Sequence, residues 1–214
     1  MFPRLRPKLA VCLSAITLVA CPLLAGSGAE AAPALRANGL PPIGAEVPSS
    51  MTATNAQFQI GTALVSLDFQ GGIKQRVEAS ATDPDHSVRL RTVGFRVAAD
   101  LPGIGGHGDG PSIVTFEQSN IDTDPQSTFT LTQANPPTYE ERDVITFTAA
   151  IERPGQATLV LHSKNPMILR GTTSSYPAKG DAYSLEQPVQ LVEEGHPDTT
   201  VATLQSFPSK RGGL

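Results

Sequence analysis

The sequence predicts an all-β fold: a single antiparallel β-sandwich of the Ig-like or jelly-roll-like kind, with a closed β-barrel as the alternative. Three observations predict it. From about Gln57 to Phe207 apolar residues recur with a period of two, the spacing of a strand with one buried face. The runs are rich in Val, Ile, Thr and Phe, which suit a pleated, half-buried surface. Between them stand Pro, Gly, Asn and Asp clusters with defined turn chemistry, and no segment offers three helical turns with an apolar face.

In chain order, Phe58/Ile60 opens the pattern and Leu64 to Phe69 continues it, with Gly71-Gly72 read as the next turn. Ile73 to Ala79 is a weaker strand. Val88/Leu90 and then Val93/Phe95/Val97 alternate with Arg89, Arg91 and Arg96. The apolar phase slips by one near Thr92, so a β-bulge is expected there, with Gly94 free to absorb the backbone change. Ile113 to Phe116, Phe129 to Thr132, Ile145/Phe147/Ala149/Ile151 and Thr158 to His162 follow. Met167 to Leu169, Tyr183/Leu185, Val189/Leu191 and Val201 to Phe207 complete a set of about eight to ten strands. Turns are expected at Asp83-Pro84-Asp85, Asp124-Pro125, Asn135-Pro136-Pro137, Arg153-Pro154-Gly155, Asn165-Pro166 and His196-Pro197-Asp198.

The first 31 residues read as a signal peptide. Arg4, Arg6 and Lys8 precede an apolar run from Leu9 to Leu24, and small residues follow, placing cleavage between Ala31 and Ala32. Pro22 interrupts the run well short of the roughly 20 residues a spanning helix needs. Leu18-Val19-Ala20-Cys21 resembles the bacterial lipobox, which implies a second possible fate, lipidation at Cys21. Residues 32–55, punctuated by Pro33, Pro41, Pro42 and Pro48, are expected to form a disordered tether. The sandwich is expected over 56–208, and 209–214 is read as a frayed basic tail.

Cleavage would leave 183 of the 214 residues, enough for one domain with its own core. Both cysteines, Cys12 and Cys21, fall in the leader, so the domain has no disulfide, thiol catalysis or Cys-based zinc site. Removing Arg4, Arg6, Lys8 and Glu30 from the 16 basic and 20 acidic residues leaves 13 and 19, a net charge of −6. Nucleic acid is therefore not an expected partner, since its binding draws on clustered Lys and Arg. With no Trp and only Tyr139, Tyr176 and Tyr183, aromatic platforms for sugars are scarce.

Motifs with chemical content are few. Gly103-Ile104-Gly105-Gly106-His107-Gly108 has the letters of a dinucleotide fingerprint, but a strand-like run follows where a helix N-terminus is needed, so a surface loop is expected. His86, His107, His162 and His196 show no ligand-like spacing. Asp83-Pro84-Asp85 and Asp122-Thr123-Asp124 lack the remainder of a calcium loop, and no Gly-x-Ser-x-Gly elbow occurs. Glu140-Glu141 and Glu193-Glu194 are adjacent pairs whose side chains point apart, and both are read as solvated. Neither catalytic nor metal residues are assigned, and no cofactor is expected. The expectation is an exported bacterial, non-catalytic binding or envelope-associated module with an extracellular or envelope partner. It would touch a membrane only through a lipid at Cys21. The alternatives are a secreted hydrolase with a loop-assembled Asp/Glu/His site and a lipid-anchored accessory subunit.

Overall fold

The structure is a computed structural model that describes residues 34–102, 112–119 and 127–212. The expected leader with Cys21, the Ala31/Ala32 cleavage point, the glycine loop with His107, Asp122-Thr123-Asp124 and the Asp124-Pro125 turn lie outside them. Residues 32–214 form one compact unit.

The described residues contain strands and no helix, as the period of two predicts. In order they are β1 (Glu46–Ile60), β2 (Ala63–Ala79), β3 (Ser87–Leu101), β4 (Ser112–Gln118), β5 (Ser127–Ala134), β6 (Pro137–Ile145) and β7 (Phe147–Glu152). Then come β8 (Leu159–Ser163), β9 (Met167–Thr173), β10 (Asp181–Leu185), β11 (Val189–Val192), β12 (Thr200–Ser206) and β13 (Ser209–Arg211). All join one antiparallel sheet in the order β12-β11-β8-β7-β4-β3-β2-β1-β13-β10-β9-β6-β5. Two further pairings, β12 with β1 and β3 with β5, return the sheet onto its long strands. Hydrogen bonding thus closes into two circuits that share β1, β2 and β3. One adds β4, β7, β8, β11 and β12; the other adds β5, β6, β9, β10 and β13.

The long strands divide their length between the circuits. Gln57–Ile60 of β1 pairs with β12, whereas Met51–Ala53 pairs with β13. Arg96–Leu101 of β3 pairs with β4, whereas Ser87–Leu90 pairs with β5. The expected bulge lies at this division: Lys74 faces Gly94 while Gln75 faces Thr92, leaving Val93 as the extra residue. Inward residues change there from Val88, Leu90 and Thr92 to Phe95, Val97 and Ala99, and Val93 itself is only half-buried.

Gly71-Gly72 is not a turn. Both residues lie inside β2, and a Cβ on Gly71 would stand 2.0 Å from the Arg96 carbonyl oxygen. Glycine here permits a close strand crossing rather than a reversal. The reversal into β2 falls at Gly61-Thr62. The turns expected at residues 83–85, 135–136, 153–155, 165–166 and 196–198 all lie between strands.

The expected tether and tail are also corrected. Glu46 to Asn55 belong to β1, where Met51 and Ala53 are buried, and Leu40 is fully buried upstream of it. Proline is tolerated because Pro48 faces Lys74 on one side, while β13 pairing on the other begins only at Met51. At the other end Ser209–Arg211 forms β13 between β1 and β10.

Two hydrophobic clusters result. The larger centres on Phe116, whose ring lies 4.6 Å from Phe69 and 4.7 Å from Phe147, with Phe58 and Phe207 around it. The smaller joins Leu40, Val47, Val77, Val88 and Leu90 to Phe129, which stacks on Tyr139 at 4.6 Å and meets Tyr176 edge-on at 4.9 Å.

Candidate functional site: a sealed polar layer between two cores

Strand alternation places a polar layer where the two clusters meet. On β6 the inward residues are Tyr139, Glu141, Asp143 and Ile145. Tyr139 belongs to the smaller cluster and Ile145 to the larger, so the two carboxylates sit between them. Gln75 of β2 lies likewise between Val77 and Ile73, and Thr92 of β3 between Leu90 and Phe95. Arg211 enters from β13 and Tyr183 from β10.

Glu141, Asp143, Gln75, Arg211 and Tyr183 bond to one another, whereas the buried Thr92 Oγ1 has no hydrogen-bond partner. Arg211 Nη1 donates to Glu141 Oε1 at 2.5 Å, and its Nη2 donates to Asp143 Oδ2. Tyr183 Oη donates to Glu141 Oε2 at 2.6 Å, and Gln75 Nε2 to Asp143 Oδ1 at 2.5 Å. The guanidinium carbon stands 4.5 Å from the Tyr183 ring centroid, a cation–π contact. Arg211, Glu141 and Asp143 are 1%, 2% and 0% exposed, so no face of the network meets solvent.

Two glycines hold this geometry. A Cβ on Gly171, which faces Tyr183 across the β9–β10 ladder, would lie 2.5 Å from the tyrosine ring. Gly212 has φ +67°, and a Cβ there would lie 2.0 Å from the Ala178 carbonyl oxygen. Its N–H bonds Ser50 O at 3.0 Å, while Gly180 N bonds Arg211 O at 2.5 Å. The last strand is fastened by its backbone on both sides of the buried arginine.

Burial dominates the electrostatics. Desolvation and then the nearby Asp143 charge raise the Glu141 carboxyl, Arg211 and the bonds from Tyr183 and Gln75 oppose them, and the balance leaves it at about 7. Burial also raises Asp143, against the pull of the Arg211 guanidinium. Burial and the neighbouring carboxylates raise Tyr183 and Tyr176. Desolvation lowers Arg211, but the two carboxylates outweigh it and hold its proton more tightly than usual.

Sequence reasoning missed these residues. Glu141 is not solvated, although its side chain does point away from Glu140, which lies 3.6 Å from Arg170 on the outer face. Arg211 belongs to no frayed tail. The missed signal is the phase of β6: Tyr139, Glu141, Asp143 and Ile145 alternate, with acids at inward positions.

The other expected positions stay apart. His86 is exposed and pairs with Asp83 at 3.1 Å, His162 lies on β8, and His196 is in the exposed β11–β12 connection. Glu193 and Glu194 are exposed in the same connection. Among the described residues no three His, Cys, Asp or Glu side chains gather to hold a metal.

On the outer surface, where β1, β2 and β3 pass from one circuit to the other, lies an open groove of about 530 Å3. Ser49, Gly72, Lys74, Phe95, Arg96 and Glu117 contribute to its walls. At its edge Lys74 and Arg76 hold the Glu46 carboxyl down at about 2.

No protein-family model and no curated protein matches the chain. Among solved structures it is similar to that of DynF from the dynemicin biosynthesis pathway of Micromonospora chersina, with TM-score 0.60 and 18% identity. The likeness covers 86% of this chain and 90% of that one. At this identity it shows a common fold.

Proposed function

We propose that this chain is an exported, non-catalytic binding or envelope-associated module. The observation that carries the reading is the division between interior and surface. The group formed by Glu141, Asp143, Tyr183 and Arg211 is sealed between two apolar clusters, where no substrate atom can reach it. The surface instead offers the groove over β1–β3, where exposed Lys74, Arg96 and Glu117 stand beside Gly72 and Gly94, which carry no side chain. A concave feature with a few convergent polar groups is an ordinary place for a binding site. The groove is therefore the surface we assign to the partner.

Site-directed photo-cross-linking tests this. A benzoylphenylalanine at Ser49, inside the groove, is expected to trap one defined envelope component in the producing cells. The same probe at Gln190 of β11 should not. Equal labelling from both positions overturns the groove as the binding surface.

The lipid-anchored alternative rests on Leu18-Val19-Ala20-Cys21. Under plain secretion, Cys21→Ala leaves release unchanged and the mature protein starts near Ala32. Under lipidation, the same substitution moves the protein from the membrane to the soluble fraction.

A further inference from the structure

The polar layer holds two carboxylates and one guanidinium, a formal −1 if all three are charged. Glu141 and Asp143 stand two residues apart on the same face of β6 and reach the same guanidinium. Among the described residues no second cation bonds these acids. β2 contributes Gln75; β10 contributes Tyr183; β9 places Gly171 and Leu169 opposite the two acids. β1 places Met51 and β10 places Asp181 opposite Arg211, the Asp181 carboxylate accepting from Thr173 Oγ1 at 2.8 Å and from Lys179 N at 2.9 Å, and Tyr176 enters from the β9–β10 connection as a neutral phenol. Isolated charge in such surroundings is expelled by taking up a proton, because Born desolvation penalises the ion and not the acid.

We infer that Glu141 and Asp143 together retain one proton at neutral pH, which makes the layer a pH-sensitive clasp on β13. In the protonated state one carboxylate balances Arg211, and the strand that closes the second circuit is held by a neutral cluster. Loss of that proton to solvent leaves an uncompensated charge beside the guanidinium, and the layer relaxes by loosening β13. The raised folded-state values give the sign. Stability is fully present below the ordinary Glu value of 4.5 and is lost as pH rises through about 7.

Urea unfolding of the full domain between pH 5 and 8.5 tests the inference. The wild type should lose folded-to-unfolded ratio as pH rises, approaching about tenfold per pH unit, the limit for one linked proton. Glu141→Gln, a neutral mimic of the acid, should flatten that loss. Comparing the two proteins at each pH cancels every titration they share. Amide exchange at Ser209 to Gly212, corrected for intrinsic rate, should rise above pH 7 in the wild type alone. Equal pH slopes in the two proteins overturn the proposal. If Glu141→Gln does not fold, infrared spectroscopy of the wild type decides. A protonated-carboxyl stretch persisting at pH 7 and lost by pH 9 supports the clasp, and its absence at pH 7 sinks it.

Discussion

Arg211 shows how much one side chain can carry in this fold. It bonds both inward acids of β6 and lies over the Tyr183 ring. Removing one partner of a buried ion pair leaves uncompensated charge, and the usual cost is about 3–5 kcal/mol. Arg211→Ala is therefore expected to lower unfolding free energy by that order in urea titrations, with Lys210→Ala, whose side chain is exposed, close to neutral. Arg211→Lys should recover only part of the loss, because one ammonium cannot reproduce the two-pronged contact. The sequence around Arg211 hid this role. Lys210-Arg211-Gly212-Gly213 has the composition of a solvated tail, and three residues of alternation are too few to reveal an inward face. Charge is ordinarily read as exposure, and a buried pair inverts that rule only when the partner acids, 68 and 70 residues earlier, are already placed.

Among the elements, β3 is legible in the sequence, β2 is legible only as two pieces, and β6 and β13 are not legible. The phase slip near Thr92 correctly located a bulge, because a one-residue shift moves every following side chain to the other face. Gly71-Gly72 misled, because glycine serves both reversals and close crossings, and sequence alone does not separate them. The two uses predict different costs. Gly71→Ala drives a Cβ into the backbone of Arg96 and Val97, which cannot rotate away. Gly171→Ala meets the Tyr183 ring, which can move only by giving up its bond to Glu141. Overpacking of this kind costs about 1–3 kcal/mol, occasionally more. We expect Gly71→Ala to be the more destabilising in thermal melts. Gly171→Ala should carry a signature Gly71→Ala lacks, a changed tyrosine near-ultraviolet spectrum. A wild-type spectrum for Gly171→Ala would show that Tyr183 is not held as described.

For the whole molecule, the sharing of β1, β2 and β3 decides how the two circuits unfold. Neither circuit closes without these strands, and the polar layer lies between the two cores rather than inside one of them. Separation into independent units would split three continuous strands and expose Glu141, Asp143 and Arg211 together. Cooperative loss of both circuits is the expected outcome. The distribution of chromophores makes this measurable without labelling. The chain has no Trp and three Tyr, and Tyr139, Tyr176 and Tyr183 all lie in the second circuit or its connections. The first circuit instead holds the Phe116 cluster. Tyrosine fluorescence therefore follows one circuit, while far-ultraviolet circular dichroism follows the strands of both. The two signals should give coincident midpoints and equal slopes in urea, at pH 5 and at pH 8 alike. A tyrosine transition that precedes the dichroism transition at both pH values would mean that the second circuit opens alone. The three shared strands would then link two separately stable halves.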